Sequence, residues 1–425
     1  MKRNKKVALT ATALSLSALL AACGGEETTS SGDGEKELDL LITSEPPSLH
    51  PQLASDTTSG AILESTFEGL TTMVEGEPVL AAAEDYKVSD DLLTYTFTLR
   101  DAQWSNGEKV TAEDFAYAWK WALNPENASE YSTILYPIKG AEEYNNGVGT
   151  AEDVAINVID EKTLEVTLNA PTPYFLELTA FKTFYPIHKA TAEADPKWYT
   201  EADNYVSNGA FNLTTWNHSG DIVLEKSDTY WDTENVDIDT VNIAMVESET
   251  TQMTMFDAGE IDFLGAPYGT ISLDAIDRLK SEDKLNVSDM SSIYWYKFNT
   301  EDPVMQNENI RKALALAIDR EGLISNVVKG EQEPALGIVP NSVEGFGDDE
   351  GYFKDADFEE AKKYLEAGLK ELGLANPADL EVKVSYNTSE AHSAIAQFIQ
   401  QGWSSNLGIT VKLDNSEWQV YLDKI

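Results

Sequence analysis

Residue types that carry out covalent or metal chemistry are scarce in this sequence. The histidines are His50, His188, His218 and His392, far apart along 425 residues, and the single cysteine is Cys23. One cysteine cannot close an internal disulfide or build a cysteine-based zinc or iron–sulfur site. There is no H-E-x-x-H pair, no G-x-S-x-G elbow, no phosphate loop ending in Gly-Lys-Ser or Gly-Lys-Thr, and no G-x-G-x-x-G after a strand. No metal, cofactor or catalytic residue is therefore expected. With 74 Asp and Glu, some close carboxylate pair of the kind that hydrolyses glycosides is unavoidable, so such pairing carries no information. The stretch from Asp348-Asp349-Glu350 to Asp357 is rich in carboxylates, but its glycine spacing does not fit a calcium loop and it reads as solvated surface.

Aromatic side chains are plentiful: 9 Trp, 18 Tyr and 14 Phe, with local sets at Trp119 and Trp121, Tyr230-Trp231 and Tyr294-Trp295-Tyr296. Rings bury large areas, and core packing is the plain reading of most of them. Three consecutive aromatics in a strand cannot all face one core, because successive side chains point to opposite faces. Tyr294 and Tyr296 then share one face and Trp295 takes the other, which suits a cleft lined by rings. Lys and Arg number 30 against those 74 acids, giving a net charge of −44 at pH 7. A chain this acidic is not a nucleic-acid binder, since neutralising phosphates takes clustered Lys and Arg. The hydrophobic share of 42% is that of a folding chain. Its length predicts roughly two to three domains.

Lys2, Arg3, Lys5 and Lys6 precede an uncharged run from Val7 to Leu20. This reads as a signal peptide over residues 1–22, since a spanning helix needs about 20 apolar residues. The run closes on Leu20-Ala21-Ala22-Cys23, which resembles a bacterial lipobox. That resemblance implies cleavage before Cys23 and attachment of diacylglycerol to its sulfur. Losing the four cations of the leader and no acid takes the net charge from −44 to −48. Residues 23–36 then form the lipidated cysteine and a Gly, Ser, Thr and Glu tether, and the body starts near Glu37. No later segment is long and apolar enough to span a membrane, so the expected location is the outer face of the cell membrane, held by lipid.

Elements that could position a site follow from periodicity. Leu93, Tyr95, Phe97 and Leu99 alternate with Thr94, Thr96 and Thr98 as a strand, followed by a turn at Ser105-Asn106-Gly107. Thr111 with Asp114 caps a helix whose buried face is Phe115, Ala118, Trp119 and Ala122, stopped by Asn124-Pro125. Leu164, Val166 and Leu168 alternate as another strand. Helical spacing runs from Ile310 to Val328 and from Asp357 to Leu372, the latter closed by Gly373. Leu380–Tyr386, Ser389–Asn406 and Ile409–Leu413 read as strand, helix and strand, a βαβ unit with a parallel pair. The fold class is α/β with irregular antiparallel pieces.

The run Ala102-Gln103-Trp104-Ser105-Asn106-Gly107, continuing through Val110-Thr111-Ala112-Glu113-Asp114-Phe115 to Tyr117 and Trp119, resembles the signature of extracellular oligopeptide- and dipeptide-binding proteins of ABC importers. Further blocks agree in order: Glu45-Pro46-Pro47-Ser48-Leu49, Phe67-Glu68-Gly69-Leu70, Pro173-Tyr174-Phe175, Ser207-Asn208-Gly209-Ala210-Phe211 and Tyr386-Asn387-Thr388-Ser389. The resemblance is to the oligopeptide-binding branch of lipoproteins from Gram-positive bacteria. It implies a periplasmic-binding-protein type II-like fold, two lobes with a hinge plus an extra inserted domain. On this sequence the first lobe is expected at 37–69 and 190–293, the inserted domain at 70–189, and the second lobe, incomplete, at 294–425. A monomeric receptor would hold an extended oligopeptide between the lobes and pass it to an ABC permease.

The resemblance also implies residue roles. Lys329 and His392 fall where the family faces the peptide's terminal carboxylate, and Trp418 where a tryptophan lines a side-chain pocket. Tyr131 matches a tyrosine reaching the groove, and Ser55, Asp56, Thr57 and Thr58, in the loop to Ser59, match a loop contacting peptide backbone. The alternatives are a helix-end cation, a surface histidine, a core tryptophan and a plain turn. The sequence stops at Ile425, before the segment in which relatives carry the aspartate for the peptide's amine, which reads as a fragment or a truncated frame. Two other readings stand: a receptor of this fold for nickel, haem or oligosaccharide, and a surface hydrolase using a carboxylate pair.

Overall fold

A computed structural model describes residues 35–343, 345–346 and 352–425. Cys23, the leader and the tether as far as Gly34 lie outside them, as do Asp348, Asp349 and Glu350. Twelve strands are present among the described residues. They are β1 (Glu37–Ile42), β2 (Thr71–Val74), β3 (Glu77–Leu80), β4 (Ala83–Val88), β5 (Thr94–Leu99), β6 (Ile156–Asp160), β7 (Thr163–Thr167), β8 (Phe211–Asn217), β9 (Asp221–Lys226), β10 (Thr240–Met245), β11 (Glu381–Asn387) and β12 (Thr410–Ser416).

Alternation in β5 does what its sequence dictates: Tyr95, Phe97 and Leu99 are buried and the threonines between them face outward. β5 is central in the antiparallel sheet β4-β5-β7-β6. Against it packs the helix Ala112–Leu123, with Phe115, Ala118, Trp119 and Ala122 fully buried and the Trp119 indole donating to the Phe184 carbonyl at 2.7 Å. Asp114 begins this helix by accepting from the Thr111 amide at 2.9 Å and the Thr111 hydroxyl at 2.8 Å. A carboxylate there also meets the positive end of the helix dipole.

The second four-stranded sheet, β1-β10-β9-β8, is antiparallel except for the parallel pair β1 and β10. Its strands lie before residue 43 and after residue 210, on either side of the β4–β7 sheet in sequence. One continuous core nevertheless joins both sheets, from Leu40 and Ile42 through Phe97 and Val166 to Ile222 and Ile243. The aromatic pair Tyr230-Trp231 serves this region: both side chains donate to the Glu68 carboxylate, at 2.7 and 2.8 Å, and the Arg100 guanidinium lies 3.5 Å over the Trp231 ring. Gly209 is confined there too, since a Cβ on it would come within 2.4 Å of the Thr66 carbonyl carbon.

A separate core occupies residues 310–411. There β11, the helix Glu390–Leu407 and β12 form the expected βαβ unit, with seven parallel rungs from Glu381–Thr410 to Asn387–Ser416. Trp403 anchors that helix through its indole N–H to the Leu314 carbonyl at 3.0 Å. The helix Phe358–Leu372 starts at Asp357 and ends on left-handed Gly373, as expected.

Three expectations need correction. The helix over Ile310–Val328 is broken: Glu308–Leu316 ends at Ala317, and a second helix, Arg320–Leu323, runs into a π turn at Ile324–Val328. Asp319 causes the break by accepting from the Gly322 amide at 2.8 Å, a cap that helical continuation would forfeit. Asp355 is not solvated surface; it takes the Arg320 guanidinium and the Arg320 amide, each at 2.9 Å. Tyr294-Trp295-Tyr296 forms no strand and belongs to none of the described sheets. The Tyr294 and Tyr296 rings still meet at 5.9 Å, and Tyr294 and Trp295 are both more than half exposed.

Candidate functional site

Apart from Lys329, the residues expected to face a ligand lie in two groups, one on elements of each main core. In the first, Asp56 caps the helix Thr57–Thr66 by accepting from the Ser59 amide at 2.9 Å and is itself buried. The loop before it is tied down from two directions. Gln52 donates to the Thr183 and Tyr185 carbonyls at 3.2 and 2.8 Å, and Ser129 donates to the Gln52 carbonyl at 2.6 Å. These bonds carry Tyr131 to the loop, where its hydroxyl donates to the Ser55 carbonyl at 3.4 Å. Thr57 is exposed and Thr58 half-buried beside them. The cluster is completed by two residues the sequence reading missed: Phe181, edge-on to Tyr131 at 5.3 Å, and Lys182, whose ammonium lies 5.1 Å from the Tyr131 ring centre. Burial pulls the Lys182 pKa down, against the opposing pull of Asp56 and Glu64.

In the second cluster the Tyr294 ring meets both Tyr296, at 5.9 Å, and His392, at 5.5 Å. His392 Nδ1 lies 2.7 Å from the Asn387 side-chain oxygen, an acceptor, so Nδ1 carries the proton and Nε2 is left free to accept. Burial lowers the His392 pKa, which keeps the ring neutral at pH 7. Trp418 stacks on Tyr421 at 6.2 Å, and its indole N–H is buried without a hydrogen-bond partner among the described residues. A buried donor left unpaired is costly, so this indole is better suited to a ligand-lined pocket than to closed core.

Lys329 stands apart from His392. It adopts the left-handed conformation at the end of the π turn, and its ammonium pairs with Asp277 at 2.6 Å. The two sit in a hollow of about 520 Å³ with Lys280 and Glu331, themselves an ion pair at 2.9 Å. Among the described residues no hydrogen bond, ion pair or ring contact joins Lys329 to His392. Any carboxylate reaching Lys329 competes with Asp277.

A reciprocal arrangement no local pattern signalled joins two helix starts. Glu249, the first residue of the helix Glu249–Ala258 that follows β10, accepts from the Ser389 hydroxyl at 2.6 Å and the Ala391 amide at 3.2 Å. Glu390, the first residue of the helix carrying His392, accepts from the Ser248 and Thr250 hydroxyls at 3.2 and 2.9 Å. Each helix thus receives a carboxylate at its positive end from the other, and Glu249 is only 1% exposed. No three His, Cys, Asp or Glu side chains among the described residues are grouped to hold a metal ion, and no described helix is long and apolar enough to cross a membrane.

Residues 77–425 match the family of bacterial extracellular solute-binding proteins, family 5 Middle. The chain belongs to that family. This family 5 protein is 50% identical over 418 residues to the oligopeptide-binding protein OppA of Bacillus subtilis, across 96% of its own length and 77% of that relative's. Among solved structures it matches Listeria monocytogenes OppA bound to peptide with a TM-score of 0.83 at 33% identity, covering 92% of this chain and 79% of that one. Against the unliganded open form of the murein tripeptide-binding protein MppA the TM-score is 0.60 at 30% identity, covering 92% of this chain and 76% of that one. The family 5 body is therefore arranged more like that peptide-bound structure than like that open one. Family 5 is a receptor family, not an enzyme family, and its fold is the two-lobed α/β type expected from the sequence.

Proposed function

We propose that this chain is an extracellular receptor that binds oligopeptides extended between two lobes and hands them to an ABC permease, held at the cell surface by lipid on Cys23. The observation that carries the reading is the 50% identity to an oligopeptide-binding protein across 96% of the chain. The two clusters add physical support. Carbonyls, hydroxyls and ring faces along Ser55–Thr58, Tyr131, Tyr294, Tyr296 and Trp418 suit a ligand whose backbone repeats while its side chains vary, because backbone hydrogen bonds are the same for every sequence. Pockets of rings and polar groups accept many side chains, as a receptor of broad specificity requires.

Native mass spectrometry of a Cys23→Ser form, recovered from the medium of expressing cells, tests the reading. The expected result is a ladder of peptide-sized adducts. A single discrete small-molecule mass would replace the peptide ligand by a non-peptide one of the kind other members of this fold take. Retention of the Cys23→Ser form in the membrane fraction would remove the lipid anchor.

A further inference from the structure

The Lys182 side chain lies beside Tyr131, whose hydroxyl reaches the Ser55 carbonyl. The ammonium stands 4.4 Å from the Phe181 ring centre and 5.1 Å from that of Tyr131, which hold it by cation–π attraction on one side. A Cβ on Gly60 would lie 3.9 Å from its nitrogen, so the ammonium rests against the opening turns of the helix Thr57–Thr66. Ring faces and a helix start give a cation no hydrogen-bond acceptor, and the positive end of the helix dipole opposes it. Asp56 and Glu64 are the carboxylates that act on it. Asp56 is engaged by the Ser59 amide, and neither acid pairs with Lys182 directly. Among the described residues the half-buried ammonium has no hydrogen bond and no ion pair, so three donors are held in place beside the Ser55 loop with no acceptor from the fold.

We propose that Lys182 docks a carboxylate of the bound peptide, either an acidic side chain or the peptide's own terminus, and so sets a preference for ligands that place a negative charge beside Ser55 and Tyr131. This rests on the peptide reading above. A carboxylate is the ligand group that an ammonium in a partly dehydrated site rewards most, since a charge-assisted bond is roughly twice as strong as a neutral one. A backbone carbonyl could also accept, but would leave the charge unmatched. Two fixed rings and the Gly60 surface limit the directions from which the partner arrives, which turns attraction into positional selectivity.

Calorimetric titration of the full chain with defined tetrapeptides tests this. The probes are tetra-alanine, its C-terminal amide, and tetra-alanines carrying Glu or Gln at each position in turn. If the carboxylate is a side chain, one Glu peptide binds about tenfold more tightly than its Gln counterpart. If it is the terminus, the free acid exceeds the amide by a similar factor. In either case Lys182→Met collapses that ratio to about one and Lys182→Arg keeps most of it. The inference is overturned if the native chain shows neither ratio, a comparison that needs no variant, or if Lys182→Met leaves the ratio intact. A native chain that binds none of the tetrapeptides overturns the peptide reading and this inference with it, whereas binding without discrimination overturns the inference alone.

Discussion

Glu68 shows how one side chain can set a pH response. Only 8% of it is exposed, and burial pushes its carboxyl up to about 7, although the Tyr230 hydroxyl, the Trp231 indole and Arg100 all act to lower it. A carboxyl raised in the folded state contributes stability that is fully present below the unfolded value of 4.5 and is lost as pH rises through about 7. Urea denaturation between pH 5 and pH 8 should therefore show native stability falling by an amount on the order of 3 kcal/mol from this group. Glu68→Gln should remove that part of the slope, leaving a constant offset for the donor an amide cannot satisfy. Parallel profiles for the native chain and the variant would rule the assignment out. Nothing near Glu68 in sequence reveals this, because its partners Tyr230 and Trp231 are 162 and 163 residues away. The site divides in the same way. Ser55–Thr58, Tyr131, His392 and Trp418 are expected at a site because they stand in recognisable blocks, whereas Phe181 and Lys182 come beside Tyr131 only when the chain folds back over it.

At the scale of elements, the reciprocal capping of Glu249–Ala258 and Glu390–Leu407 carries a second prediction. Glu249→Ala strips acceptors from the Ser389 hydroxyl and the Ala391 amide in a buried place and should cost about 2–3 kcal/mol in urea denaturation. Glu390 is exposed, its partners can turn to water, and Glu390→Ala should cost less than about 1 kcal/mol. Equal losses would mean that the two contacts are equivalent and that burial does not decide. Elements whose stability is local were readable from sequence: the alternation in β5, the Thr111–Asp114 start, and the β11–helix–β12 unit. Elements whose partners are remote were not. The sheet β1-β10-β9-β8 depends on pairing Glu37–Ile42 with Thr240–Met245, some 200 residues on, and no local pattern announces that choice. The broken helix at Ala317 illustrates the converse, where 3.6-residue spacing persists across a cap that ends one helix and starts the next.

Across the whole molecule, 74 acids against 30 bases make charge the dominant long-range force. Most of the ion pairs are exposed, so they offset little of the mutual repulsion. Because salt at 0.1 M shortens the reach of a charge to about 10 Å, raising NaCl from 10 mM to 0.5 M should lift the melting temperature by roughly 5 °C in differential scanning calorimetry. An unchanged or lower value would show that attraction within local networks outweighs the net repulsion. The parallel pairing of β1 has a mechanical side as well. Six rungs join it to β10, and its far end is locked by the fully buried Leu41 and Ile42. Tension on the chain ahead of Lys36, applied along the axis of β1, must slide the strand past β10 with all six rungs loaded together, where a sideways pull would unzip them one at a time. A load applied at the N-terminal end of β1, as in the lipid-held form proposed above, therefore meets an edge that resists shear.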